Sequence, residues 1–272
     1  MDSFDLRAGT SCPSAARGLR RIADRATSTF MIHDLGVILP VILLAAIIQS
    51  STGFGFGLVA VGLLALFMPV QEAASLNALP ALALNLMLLW RLHQHLQWRD
   101  LRWIAPAIVV ATPLGVVGLL ALDSQVMYAI LALVLGVALL QSFFGRVGAR
   151  PWHPLWLGIP AGLFSGLLAG AYGTGGPPVI AYVQSYQYER HRHVVCLQLL
   201  LAIAGTIRVV SLLVQDALTA EQWMLNALGS LVIPLGAWIG LSLLRRMPQV
   251  WLRRGILGML VVLTVNCALK AL

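Results

Sequence analysis

Charge is scarce in this chain of 272 residues: Asp, Glu, Lys and Arg make up 10% of it, against roughly 25% in a soluble domain. Hydrophobic residues make up 59% and the mean hydropathy is +0.87. No water-soluble fold of this length could hide that much apolar surface, so the composition excludes a soluble enzyme or binding module and predicts an integral membrane protein. Lysine is almost missing, because Lys270 is the only one among 18 basic residues. All ten carboxylates lie outside the long apolar runs, at Asp2, Asp5, Asp24, Asp34, Glu72, Asp100, Asp123, Glu189, Asp216 and Glu221. Carriers of cations or protons usually keep an Asp or Glu at membrane depth, so an anion or a neutral cargo is favoured.

Other absences narrow the field further. There is no Gly-x-Ser-x-Gly, no His-Glu-x-x-His, no phosphate-binding loop and no carboxylate pair within an apolar run, which leaves an enzyme without residue support. Without a nucleotide motif, driving energy comes from gradients or a separate subunit, and no cofactor is expected. Cys12, Cys196 and Cys267 have neither metal nor disulfide spacing. His33, His93, His95, His153, His191 and His193 all sit in loops or at span edges. The net charge of +8 comes from arginines in short loops, where cytoplasmic loops of membrane proteins carry them; nucleic acid is not an expected partner.

What is present is a series of apolar runs near 34–52, 57–68, 73–90, 103–122, 126–144, 155–172, 177–188, 194–214, 223–243 and 250–271. Most approach the ~20 residues that span a bilayer as helix. The runs 57–68 and 177–188 are too short to cross upright, and each follows a glycine-dense interruption: Gly53, Gly55 and Gly57 in the first, Gly173, Gly175 and Gly176 in the second. Backbone broken at membrane depth survives only where it lines a cavity or is buried in protein, and a matched pair in two halves points to a carrier's binding site.

The halves repeat beyond these motifs. Pro113-Leu-Gly115 recurs as Pro234-Leu-Gly236, Trp103 and Trp223 open corresponding runs, and Leu135-Gly136 pairs with Leu257-Gly258. Loop arginines place 91–102, 145–154, 189–193 and 244–254 in the cytoplasm, which makes 155–188 a hairpin. Each half is then one hairpin plus three crossings, so the two insert in opposite orientations. The same count places the Arg-rich N-terminus outside, against the charge rule.

The expected fold is therefore an all-α polytopic membrane protein of about eight helical elements. They form two inverted four-element repeats, each beginning with a Gly-broken re-entrant hairpin. The boundaries are a polar tail at 1–33, repeat 1 at 34–144, a cytoplasmic linker at 145–154 and repeat 2 at 155–272.

Proline at the start of a helix is favourable because its missing N–H has no partner there anyway. Pro177-Pro178 thus predicts a helix that begins inside the membrane, with its N-terminal amides and positive dipole end facing the bilayer middle. The expected anion site is backbone N–H groups near Gly53–Gly57 and Gly173–Gly176, supplemented by the hydroxyls of Ser50, Ser51, Thr52 and Thr174. Gln49 and Asn77 rank first among the other polar residues at depth, ahead of Asn85, Gln184, Gln198, Thr206 and Asn226, which are more often interhelical contacts. Arg208 is the only charge well inside a run, and serves either as an anion guide or as a residue reaching the interface.

These motifs resemble the TauE/SafE-type sulfite exporter family. Gly170-Ala-Tyr-Gly-Thr-Gly-Gly-Pro-Pro178 is similar to its second-half signature, and Gln49-Ser-Ser-Thr-Gly-Phe-Gly-Phe-Gly57 to the first, with Phe54 and Phe56 as departures. The resemblance covers 34–271. It implies re-entrant first and fifth elements, and movement of sulfite, sulfonates or related organosulfur anions across the bacterial cytoplasmic membrane. Expected partners are then the small anion, the lipid bilayer and a possible homo-oligomer. The alternative is an accessory membrane subunit without transport activity of its own.

Overall fold

The apolar runs fold as helices because only a helix satisfies its backbone within one segment in a medium without water. The computed structural model describes residues 35–95, 101–144, 154–186, 190–246 and 249–271; of these, Leu39 onward form one unit. The predicted tail at 1–33 lies outside the described residues, as does the linker at 145–154 apart from Pro154.

In chain order the first half holds α1 (Leu35–Thr52), α2 (Phe56–Leu64), α3 (Val70–Ser75), α4 (Ala78–Leu92), α5 (Ile104–Ala121) and α6 (Ser124–Phe144). The second holds α7 (Pro154–Tyr172), α8 (Gly176–Ser185), α9 (Arg190–Val214), α10 (Ala220–Leu231), α11 (Ile233–Arg246) and α12 (Gln249–Ala271). Four of the joins are short interruptions: the two glycine breaks, Leu76-Asn77 between α3 and α4, and Val232, two residues before Pro234, between α10 and α11. Joined across them, the described segments make eight elements. Among the described residues, six stretches are long and apolar enough to cross a membrane: Leu35–Thr52, Val70–Arg91, Ile104–Ala121, Ser124–Gln141, Arg192–Val214 and Ala220–Leu243. Leu133, Leu140, Val262 and Leu269 are more than half exposed. Such faces would be an aggregation liability in water, and are the expected surface against acyl chains.

Three boundaries differ from expectation. Glu72, placed outside the spans from the sequence, lies half-buried in the first turn of α3, where the helix dipole favours a carboxylate. The basic loop 189–193 is largely the start of α9, and 244–254 is mostly helix, since α11 runs to Arg246 and α12 starts at Gln249. Helices extend past their apolar stretch here because arginines can end a span without ending its backbone hydrogen bonds.

Small residues set the closest packing. On α7, Gly158, Gly162, Gly166 and Gly170 recur every four residues, and the last three press against α5. A Cβ on Gly162 would lie 2.6 Å from the Ala107 Cβ and the Ile104 carbonyl; on Gly166, 2.7 Å from the Ala111 Cβ. A similar seam joins α11 to α1, where a Cβ on Gly236 would lie 2.6 Å from that of Ala46, and one on Gly240 2.8 Å from that of Ser50. Gly162→Ala is expected to lower the stability of detergent-solubilised protein by ~1–2 kcal/mol, overpacking outweighing the gain in helix propensity. A thermal unfolding curve unchanged from wild type would show that the seam yields.

Between these seams α4 and α9 lie side by side and antiparallel. Asn77 meets Arg208, Leu82 meets Gly205, and Leu89 packs on the cluster that contains Val195 and Leu199. At the far end of α2, the Lys270 ammonium donates to the Ala65 carbonyl at 2.6 Å and sits 5.4 Å from the Tyr128 ring centroid. A cation there complements the negative end of α2's dipole.

Candidate functional site

The two glycine breaks meet. Gly53 and Gly55 have φ of 91° and 106°, and Gly173 has 69°. These left-handed conformations cost other residues ~1–2 kcal/mol, and here they let the chain leave one helix and start the next at once. A Cβ on Gly57 would overlap the Gly173 carbonyl and come within 2.8 Å of the Thr174 methyl, so the breaks touch through bare backbone.

Between them is a cavity of about 20 Å³, room for one water molecule. Of the residues singled out from the sequence, Gln49, Gly55, Gly57, Gly173, Thr174 and Gly176 line it. Sequence reasoning undervalued Asn85, which also lines it, and Leu58, Ala81 and Leu201, which supply its apolar wall.

Gln49 has a fixed internal role. Its carbonyl Oε1 accepts the Phe56 N–H at 3.0 Å, capping α2, while its Nε2 donates to Asn85 Oδ1 at 2.6 Å. Of the first-turn amides of α2, those of Gly57 and Leu58 have no acceptor among the described residues and belong to cavity-lining residues. The Thr174 hydroxyl is buried without a partner, although the residue is only 4% exposed. A buried unsatisfied hydroxyl costs ~1–3 kcal/mol.

The second break departs from expectation as a donor. Pro177 and Pro178 start α8 but carry no N–H, and the Gly176 N–H is spent on the Thr174 carbonyl at 2.7 Å. The prolines that begin the helix therefore remove most of the amides that its N-terminus would offer. Gly175 packs instead against Ser165, whose hydroxyl donates to the Gly175 carbonyl at 2.6 Å.

Ser50, Ser51 and Thr52 do not line the cavity. Each returns its hydroxyl to the backbone of α1, on Ala46, Ile48 and Ile48 respectively, and Thr52 also contacts the Phe54 carbonyl. Such back-bonding is the usual local alternative for hydroxyls in apolar helices.

Arg208 is 1% exposed and does not reach an interface. Its guanidinium donates to Asn77 Oδ1 at 2.7 Å, to the Ala74 carbonyl at 2.8 Å and to the Ala171 carbonyl at 3.4 Å. The last two oxygens belong to the C-terminal turns of α3 and α7, so helix dipole ends face the charge. A Cβ on Gly173 would collide with this guanidinium, which places it directly behind the break.

Two amide side chains tie the halves together. Asn77 donates to the Tyr172 carbonyl at 3.0 Å, and Gln198, 121 residues later, donates to the Gly53 carbonyl at 2.7 Å. Each long helix thus holds the break of the other half.

The sequence also matches known proteins. The family described as Sulfite exporter TauE/SafE matches residues 38–267. The chain is 28% identical over 238 residues to a protein of Cupriavidus necator named "Probable sulfite/organosulfonate exporter TauE", covering 82% of this chain and 90% of that one. No solved structure matches. Six apolar helical stretches of membrane-spanning length and a match over most of its length make this a multi-pass membrane protein. The chain belongs to the TauE/SafE sulfite exporter family of membrane transporters.

Proposed function

We propose that this transporter carries sulfite or a small organosulfonate across the bacterial inner membrane by alternating access, binding the anion between the two glycine breaks. The observation that carries this reading is a set of unpaired donors on residues that line one cavity: the amides of Gly57 and Leu58 and the hydroxyl of Thr174. Three donors suit the oxygens of a sulfite or sulfonate head, and Ala81 and Leu201 suit a short organic tail. Gln49, Asn77 and Arg208 hold these donors in place, and Arg208 adds positive potential behind Gly173. Ser50, Ser51 and Thr52 shape the end of α1.

The repeats are 34–144 and 155–272, joined by a cytoplasmic linker at 145–154, with an N-terminal tail at 1–33. Antiparallel crossing of α4 with α9, which occupy matching places in the two halves, supports a two-fold axis in the membrane plane and hence inverted repeats. The short α2 and α8, of 9 and 10 residues, support re-entrant hairpins. A cavity that admits one water is too small for a sulfite ion, so loading requires the Gly57–Gly173 contact to part.

Thr174→Val tests the site with opposite signs in two measurements. Removing an unpaired buried hydroxyl is expected to leave stability unchanged or raise it by ~1 kcal/mol, while sulfite affinity falls roughly 10- to 100-fold, the worth of a hydrogen bond to a charged group. Proteoliposome flux with an unchanged half-saturating concentration would reject the site. No flux from wild-type protein, with co-purification of a large partner, would instead favour the accessory-subunit reading.

A further inference from the structure

We propose that the anion crosses as an uncompensated charge, driven by the membrane potential alone, with no proton or metal cation bound by the protein for coupling. This rests on the transport reading above and concerns what powers it.

A coupled carrier needs a group that takes up the coupling ion where the cargo binds. The polar side chains lining the cavity are Gln49, Asn85 and Thr174, none of them ionisable at neutral pH. Ionisable groups among the described side chains of the elements around it are Glu72 on α3, Arg91 on α4, Tyr172 on α7, Tyr182 on α8, and Arg192, His193, Cys196 and Arg208 on α9. None of these lines it. His193 lies eight residues before Leu201 along α9, a rise of ~12 Å, and the Tyr172 hydroxyl is turned away onto the Met127 carbonyl at 2.8 Å.

A hard cation would need several oxygen ligands, and among the side-chain oxygens of the cavity-lining residues the Thr174 hydroxyl alone is without a partner. Gln49 Oε1 accepts from Phe56, Asn85 Oδ1 accepts from Gln49, and the Gly53 carbonyl accepts from Gln198. The local field also has the wrong sign for a cation. The N-terminus of α2 opens on the cavity, and the Arg208 guanidinium stands behind Gly173 with no carboxylate bonded to it among the described residues. Its partners are neutral oxygens, so its charge remains to repel a co-transported cation. The net charge moved per cycle is then that of the anion, and an inside-negative membrane expels it.

The test uses the full chain in liposomes, with ethanesulfonate as probe because its charge does not vary around neutral pH. A potassium gradient with valinomycin sets the potential. At a potential on the order of 100 mV, worth about 2.3 kcal/mol per charge, ethanesulfonate is expected to accumulate roughly 50-fold on the positive side. Proton or sodium gradients imposed at zero potential should leave its distribution level. Accumulation driven by either gradient at zero potential overturns the proposal, as does downhill flux that ignores the potential. If neither ethanesulfonate nor sulfite moves even down its own gradient, the transport reading itself fails and takes this inference with it.

Discussion

Gly173→Ala is expected to destabilise the protein by ~3–5 kcal/mol, from two separate sources. The left-handed backbone at this position, φ 69°, costs an alanine ~1–2 kcal/mol. Its methyl would also overlap the Arg208 guanidinium and lie 2.8 Å from Asn77 Oδ1. Pushing these apart loses a hydrogen bond to a charged group, worth ~1.5–3 kcal/mol. The measurement is a thermal melt of detergent-solubilised protein, where a loss of this size should lower the midpoint by roughly 6–20 °C. Gly258→Ala is the matched control: nothing lies within 4 Å of a Cβ there, and the residue is mid-helix in α12. It should be neutral or stabilise by up to ~1 kcal/mol. Equal melting points for the two variants would mean that the guanidinium does not depend on the bare backbone at Gly173.

The second large effect lies in the partner of that guanidinium. Asn77→Leu removes an acceptor from a fully buried charge and also frees the Tyr172 carbonyl. Losing a hydrogen bond to a buried charge costs ~1.5–3 kcal/mol and leaving the Tyr172 carbonyl unpaired a further ~1–3 kcal/mol, about 3–5 kcal/mol together. The double variant Asn77→Leu with Arg208→Leu removes that charge as well, and should be more stable than Asn77→Leu alone. A double-mutant cycle measures the difference as a coupling energy. Additive losses would show that Ala74 and Ala171 hold the guanidinium unaided. Transport should fall in both variants, since the Arg208 potential is spoiled in one and absent in the other.

The sequence made the frame legible because bilayer thickness constrains helix length so strongly. Apolar runs of the right size became helices, and both glycine motifs became breaks with short helices after them, begun by Gly55 and by Pro177-Pro178. The two interruptions were visible as dense glycine, but their donor capacity was not. Proline was read as a helix starter, which it is, while the amides it removes mattered more for the chemistry. The serines before Gly53 are polar residues at the right depth, yet nothing in their spacing shows that helical geometry turns each hydroxyl back onto its own carbonyls. Asn85 looked like one interhelical amide among several; its place on the cavity depends on the way α4 and α9 cross, which is a long-range fact. Gln198, named with the interhelical amides, had a further mark in the sequence: it falls 121 residues after Asn77 and so extends the repeat of the glycines, prolines and tryptophans. The four-residue glycine spacing on α7 was equally readable and predicts a close helix contact by itself.

The lone lysine has a practical use. Because Lys270 docks on the carbonyls of Ala65 and Leu66 just past α2, isotope-labelled methyl groups attached to its side-chain amine would place one spectroscopic reporter at the end of that element. Added sulfite should shift the resonance if the short helix swings during the cycle, giving a view of gating that requires no engineered cysteine.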